Sequence, residues 1–446
     1  MRYLPQWEEY IMPNPYLPSW EYIPDGEPRV FGDRIYIYGS HDRSGCDKFC
    51  DYRLKVWSAP VNDPNNWVCH GTAFATRAFR EHPSDVDWTD NELYAPDVVE
   101  KDGKYYLFAY IVGAKGCVAV SDRPEGPFRL LSKYEYNIEK HYDDGTFIDP
   151  GVLVDDDGRV YIYCGYLGSY MAEIDGNDMY TVIDGSYKEG IIPVEEPFSF
   201  FEACSPRKIN GRYYLIYSPK QGSHLDYAIS DSPTGPFEYK GTIVDNSQEY
   251  PGGNDHGSVI QVNGQWYIFY HRMTNGTIMS RRGCVERIEI LPDGTIPQVE
   301  MTSLGFEESL NPFAVTKADT ACVLKGGCFI TELNIFDRVV TNITDGAVMG
   351  WKYYDFGDSE DPFSVKLKVR GTGCRGSVLV YLDSDEGEPI GSAEFSENGG
   401  IISAKLPAIT GRHAVYLKAK AAYEGWAADM FKGRQLFELE EFVFVR

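Results

Sequence analysis

A chain of 446 residues and 50.4 kDa is too long for one ordinary hydrophobic core, and it predicts two domains. Hydrophobic residues at 43% and charged residues at 24% exclude a disordered chain. The 67 acidic against 42 basic residues leave a formal charge of −25, which repels phosphate backbones and argues against a nucleic-acid partner.

No apolar stretch approaches the roughly 18 residues of a membrane helix, so no membrane partner is expected. Met1 to Tyr10 hold no apolar signal core, which predicts a cytoplasmic location. Without a secretory route the glycosylation patterns at Asn275 and Asn342 carry no weight. The ten cysteines are scattered (46, 50, 69, 117, 164, 204, 284, 322, 328 and 374), and free thiols are expected. Cys46 and Cys50 are spaced like half a metal clip, but no second half follows. The aromatic content of 14%, with 33 Tyr, favours strands and supplies flat, half-polar surfaces that suit sugars.

One unit recurs along the chain: a polar residue, an apolar strand, a Gly turn and an aromatic strand. Its copies occupy 25–38, 95–108, 149–163, 204–217 and 255–270. The Asp-Gly and Asn-Gly pairs inside them read as hairpin turns. A second hairpin follows most copies, clearest in the near-duplicates Ser121–Phe128 and Ser230–Phe237 and looser at Ser58–Pro64. About four strands per unit is the dimension of a propeller blade. The prediction is all-β: a five-bladed β-propeller over 1–310. Short alternating strands near 363–370, 376–382, 413–418 and 436–445 then predict a β-sandwich over 311–446, joined closely enough that the two domains touch.

In a propeller the innermost strands surround a funnel, so equivalent positions converge although they are distant in sequence. Counted from the turn glycine, Asp149, Glu202 and Asp255 each lie nine residues before Gly158, Gly211 and Gly264. His256 lies eight before Gly264, and Asp25 lies seven before Gly32 in a tighter hairpin. A strand-start Asp is more often a turn cap bonded to its own backbone, the reading expected for Asp97 and Asp255. Carboxylates that converge repel one another, and such clustering is useful where a raised pKa is needed.

Glycoside hydrolysis needs one protonated carboxyl at the leaving oxygen and one ionised carboxylate for water or the anomeric carbon. Apolar neighbours Phe198, Phe200 and Phe201 suit Glu202 to the acid role. Asp25, in a more polar turn, suits the base, and Asp149 would hold the proton on Glu202 and orient the sugar.

The stretches Ile23 to Val30, Tyr94 to Val98, Phe147 to Val152, Phe200 to Pro206 and Asp255 to Val259 together resemble glycoside hydrolase family 43. The resemblance implies a five-bladed propeller with Asp25 as general base, Asp149 as pKa modulator and Glu202 as general acid, acting with inversion. The family often has Asp-Pro where this chain has Asp25-Gly26-Glu27-Pro28, which makes Glu27 a rival base. It implies no required cofactor, but a water-coordinated structural calcium beside His256 near the axis. A core His bonded to backbone is the competing reading of that residue. It also implies an Arg near the modulator and the sugar. Strand alternation points one of Arg281 and Arg282 inward, and Arg281 is favoured. Trp88, Tyr94 and Phe201 are candidate apolar walls for the substrate, each with plain packing as the alternative.

The C-terminal segment resembles a family 6 carbohydrate-binding module through Met349 to Gly357 and Leu436 to Phe442. A long loop from Lys420 to Gln435 sets it apart, and sugar binding need not survive there. The function implied is an exo-acting β-xylosidase, α-L-arabinofuranosidase or both, acting on arabinoxylan-derived oligosaccharides. An endo-α-1,5-arabinanase is the alternative enzyme, disfavoured because the insert between Trp57 and Tyr94 would close one side of a groove. A non-catalytic sugar-binding propeller is the alternative of another class, disfavoured by the three acids in register.

Overall fold

The computed structural model describes residues 13–113, 116–133, 147–358 and 361–446. Four four-stranded antiparallel sheets follow one another: β1 (Glu27–Phe31), β2 (Arg34–Tyr38), β3 (Arg53–Pro60) and β4 (Val68–Ala75); β5 (Leu93–Lys101), β6 (Lys104–Ile111), β7 (Cys117–Ser121) and β8 (Arg129–Lys133); β9 (Gly151–Val154), β10 (Val160–Cys164), β11 (Tyr170–Ile174) and β12 (Lys188–Glu189); β13 (Phe200–Ile209), β14 (Arg212–Pro219), β15 (His224–Ser230) and β16 (Glu238–Asp245). A fifth sheet holds β17 (Ser258–Val262), β18 (Gln265–Thr274) and β19 (Thr277–Ile288). Among the described residues this last blade has three strands, so the four-strand unit holds only for the first four.

Strand order equals chain order in every blade, which is what local hairpins produce. At Asp102-Gly103, Asn210-Gly211 and Asn263-Gly264 both turn residues have positive φ, the geometry that matches strand twist in a two-residue hairpin. β7 and β10 are buried along their whole length because neighbouring blades cover both faces. The first strands form the inner ring: β1 lies against β5 and β17, and β9 against β5 and β13. Ser205 Oγ donates to Ser258 Oγ at 2.6 Å and Arg207 Nε to Val259 O at 3.0 Å, joining β13 to β17.

Ion pairs link the inner strands. Arg29 pairs with Asp97 at 2.6 Å, and Arg207 with Glu27 at 2.7 Å. Asp97 also accepts from Val98 N and Val152 N, so it caps its own strand and ties it to β9.

The second domain comprises β20 (Thr316–Lys317), β21 (Val323–Lys325), β22 (Phe329–Glu332), β23 (Arg338–Ile343), β24 (Val348–Asp355), β25 (Pro362–Gly371), β26 (Gly376–Leu382), β27 (Gly391–Phe395), β28 (Gly399–Ala408), β29 (Arg412–Ala421), the short helix α1 (Trp426–Phe431) and β30 (Phe437–Val445). Its two sheets run β22-β23-β30-β25-β28, with β20 on β30, and β21-β24-β29-β26-β27. Trp351 is fully buried and meets Phe442 edge-on at 4.7 Å. In the long loop, the rings of Tyr423 and Phe431 stack on each other at 3.9 Å, while Trp426 is 78% exposed.

The domains share a core. Ile268, Tyr270 and Cys284 of the last blade belong to one buried cluster with Cys322, Val348 and Trp351 of the sandwich. Polar bonds cross the seam as well: Arg338 Nε donates to Tyr22 OH at 2.8 Å, and Lys352 pairs with Glu249 and Glu300 at 3.0 and 2.7 Å. Arg282, buried, donates from Nη1 to Asp319 Oδ2 at 3.0 Å and from Nη2 to Asp319 O at 2.9 Å. Arg282→Met leaves the Asp319 carboxylate buried without its partner, a cost of about 3–5 kcal/mol. Thermal unfolding is expected to show a lower Tm for the single variant and substantial recovery in Arg282→Met/Asp319→Ala.

Candidate active site

Three carboxyls from three blades meet at the funnel, each placed by an irregular piece of backbone. Asp25 and Asp149, just before β1 and β9, both have positive φ, at 56° and 54°. That region is sparsely populated by non-glycine residues, and Asp tolerates it better than most. Glu202 lies on β13 where pairing with β14 slips on both sides of it, and Ala203 beside it has φ of 69°. Such a bulge re-aims a side chain. Gly151 lets the two strands close up, since a Cβ there would lie 2.1 Å from Cys204 O.

Arg281 and two histidines complete the constellation. Arg281 Nη1 donates to Asp25 Oδ1 at 2.8 Å, while its backbone N, Nε and Nη2 bond the Asp42 carboxylate at 2.9, 2.9 and 3.0 Å. Phe49 lies 5.0 Å from the guanidinium and Cys50 Sγ accepts from Nη2. His271 Nδ1 faces Asp25 N at 3.3 Å and Nε2 faces Asn254 O at 3.1 Å. An amide N–H donates and a carbonyl accepts, so His271 carries its proton on Nε2 and is neutral. Burial and the nearby Arg281 agree, pushing its pKa down to about 3. His256 Nδ1 stands 3.8 Å from Asp149 Oδ2 and 4.0 Å from Asp25 Oδ1, and burial lowers its pKa too.

These surroundings separate the acids. Burial pushes the Asp25 carboxyl up, but the Arg281 guanidinium, helped by the Ser40 hydroxyl, outweighs it and holds the group below the usual range. Burial and the Asp25 charge push Glu202 up to about 7, against the opposing pull of Arg281 and of an Asn254 hydrogen bond. Burial, then Glu202 and Asp25, push Asp149 well above the usual range. The site therefore holds an ionised carboxylate and, at a distinct position, a carboxyl pair that retains a proton near neutrality.

Asp255, in the same register as Asp149 and Glu202, behaves differently. Its Oδ1 accepts from His256 N at 2.9 Å and His271 N at 3.1 Å, the cap geometry. Glu27 is committed to Arg207. Arg282 faces the sandwich, while Arg281 faces the acids. Tyr94 is half-buried and its hydroxyl pKa is raised by burial and by Cys50 and Glu92, with Arg281 opposing, which places it beside the Arg281 cluster. Phe201 adjoins Glu202 and meets the exposed Tyr166 edge-on at 5.1 Å. Trp88 packs half-buried on the core of the first two blades.

Asp42, His271 and Asn254 are site residues that the repeat register did not reveal. Only Asn254 carried a local signal, standing immediately before Asp255 and His256. All ten cysteines are free, and among the described residues no group of three or more His, Cys, Asp and Glu is arranged to hold a metal.

Residues 24–296 match the family "Glycosyl hydrolases family 43", and residues 331–446 match "Carbohydrate binding module (family 6)". The chain is 40% identical to a xylosidase/arabinosidase of Thermoclostridium stercorarium over 90% of this chain and 95% of that one. It is 29% identical to an arabinoxylan arabinofuranohydrolase of Paenibacillus polymyxa over 87% of this chain and 69% of that one. Among solved structures it resembles a family 43 β-xylosidase/α-arabinofuranosidase from a compost microbial metagenome, in complex with xylotriose, at 29% identity and a TM-score of 0.55, covering 65% and 97% of the two chains. A family 43 arabinoxylan arabinofuranohydrolase of Bacillus subtilis shares the fold along 97% of both chains, with a TM-score of 0.53 and 23% identity. The chain thus belongs to glycosyl hydrolase family 43 and is an inverting glycoside hydrolase.

Proposed function

We propose that the enzyme removes terminal xylosyl and arabinofuranosyl residues from arabinoxylan-derived oligosaccharides, with Asp25 as general base, Glu202 as general acid and Asp149 holding the proton on Glu202. The observation that carries this reading is the electrostatic split between Asp25, held ionised by Arg281, and Glu202, pushed up to about 7. Exo action is supported by residues 76–92. The ends of this segment are tied to the loop bearing Asp42 and Cys50 through Thr76 N to Tyr52 O and Leu93 N to Asp51 O, both 2.9 Å. The relatives' names supply the pentosyl class. Hydrolysis of aryl xyloside and aryl arabinofuranoside is expected to exceed that of debranched arabinan, with inverted product configuration by NMR. Cleavage of arabinan alone would overturn the exo reading.

The Asp149 role makes a separate prediction. Part of the upward shift of Asp149 comes from Glu202, and a pairwise interaction acts on both partners. Asp149→Asn removes that repulsion, so Glu202 loses its proton at lower pH. An acid works only while protonated, so the alkaline limb of the pH–rate profile is expected to move down. A limb that stays at the parent pH, with only a uniform loss of rate, would reduce Asp149 to positioning the sugar.

For the calcium expected beside His256, the residues present offer one ring nitrogen and one free carboxylate oxygen. Glu27 Oε1 is a buried acceptor with no protein partner, and His256 is neutral. His256 would hold the ion by one ring nitrogen with water completing the shell, and Glu27 would accept from that water. The ion would supply fixed positive charge near the acids.

A further inference from the structure

Asp25 and Glu202 come from the first and fourth blades, and one side chain of the fifth lies between their supports. His271 stands on β18 and is wholly buried. Its Nδ1 accepts from the Asp25 backbone N–H at 3.3 Å, and its Nε2–H donates to Asn254 O at 3.1 Å. The Asn254 side chain in turn bonds the Glu202 carboxyl. A continuous chain of hydrogen bonds therefore runs from the backbone that carries one acid to the side chain that holds the other.

The imidazole is itself anchored. His271 N donates to Asp255 Oδ1 at 3.1 Å, and its carbonyl accepts from Asn246 Nδ2. Opposite His271 on β19, Gly283 admits the segment that leads to Asp25, since a Cβ there would lie 2.6 Å from Tyr16 OH and 3.0 Å from Ile23 O. An inverting mechanism depends on the gap between its two carboxyls, roughly 6.5–9.5 Å, which must admit one water. A misplacement of about 1 Å can cost about a hundredfold in rate. An aromatic ring has no rotatable bond between its two nitrogens, so it transmits spacing rigidly.

We propose that His271 is a positioning residue, whose imidazole sets the spacing of base and acid by bracing Asp25 against Asn254. The proposal rests on the assignment of Asp25 as base and Glu202 as acid.

The two ends of this strut can be cut separately in the full-length enzyme. His271→Asn keeps an acceptor near the Nδ1 position for Asp25 N but falls short of Asn254 O. His271→Gln reaches Asn254 O with its amide N but leaves Asp25 N without its acceptor. Cutting the acid end is expected to lower kcat on xylotriose about tenfold and on an aryl xyloside with a good leaving group by less than about twofold, with KM little changed. It also frees Asn254, whose bond lowers the Glu202 pKa, so the alkaline limb should move up. Asp25, Asp149 and Arg281 face Glu202 too, and neither variant replaces them. In His271→Asn/Asn254→Ala the limb should move no further than in Asn254→Ala alone. Cutting the base end is expected to lower kcat about tenfold on both substrates alike, with the alkaline limb at the parent pH. The same profile in both variants, parental kinetics in either, or additive limb shifts in the double variant would overturn the proposal. Each signature stands alone, so one variant that fails to fold leaves the other to decide. Asp25→Asn and Glu202→Gln measured alongside separate the two readings. Full activity in either refutes the assignment of base and acid, whereas their collapse beside parental His271 variants refutes the strut alone.

Discussion

Glu202→Gln is expected to lower kcat on xylo-oligosaccharides roughly a thousandfold, and kcat on aryl glycosides with good leaving groups far less. The substitution keeps the shape and the hydrogen bond to Asn254 within reach, so the loss would be chemical rather than structural. An alkoxide leaving group needs a proton as the bond breaks, whereas an activated phenolate departs without one. The pH profile adds a second readout. Burial and the Asp25 charge raise Glu202 to about 7, and the pair it forms with Asp149 sets the alkaline limb of the parent. Residual aryl hydrolysis by the Gln variant should lose that limb and stay level through neutral pH. Equal losses on both substrates, or a retained limb, would move the acid role elsewhere.

The blades and the acids were legible because a propeller repeats its geometry with its sequence. Turn pairs such as Asn210-Gly211 mark hairpins, and counting back from them reached Asp149 and Glu202 directly. The same count reached Asp255, which is expected from the sequence to be a turn cap, as it is. Register fixes where a residue stands on its strand, but backbone N–H groups within reach decide what the carboxylate does. His256 N and His271 N claim Asp255, whereas the bulge at Ala203 turns Glu202 toward the other acids. Asp42 was invisible for a different reason. It lies beyond the end of β2, outside the repeat, and its partner Arg281 is 239 residues away. No periodicity encodes a pairing of that separation. Arg281 and Arg282 look alike in sequence, and alternation along β19 sends Arg281, the one favoured from the sequence, to the acids and Arg282 into the sandwich.

Asp25→Asn should be more damaging still in one respect, because no leaving group rescues it. Water must lose a proton as it attacks the anomeric carbon, whether the departing group is a sugar or a phenolate. A loss of roughly a thousandfold or more is therefore expected on aryl and natural substrates alike. The parent depends on Asp25 staying ionised. Burial alone would protonate it, and Arg281 with its neighbours reverses that. With its pKa held below the usual carboxylate range, Asp25 is a competent base across neutral and mildly acidic pH, and activity fails only as pH falls through that depressed value. The same sign governs stability. The ion pair with Arg281 contributes above the pKa of the unfolded Asp and is lost as pH falls through the folded one. Asp25→Asn should therefore flatten the acid side of the stability curve as well as abolish turnover, while Asp42 keeps Arg281 in place through its three hydrogen bonds. Rate measurements on both substrate types and denaturant titrations at low and neutral pH check the two effects. Full activity of Asp25→Asn on aryl glycosides would exclude it as the base. Glu27, whose Oε2 pairs with Arg207 at 2.7 Å, would then be the rival to test.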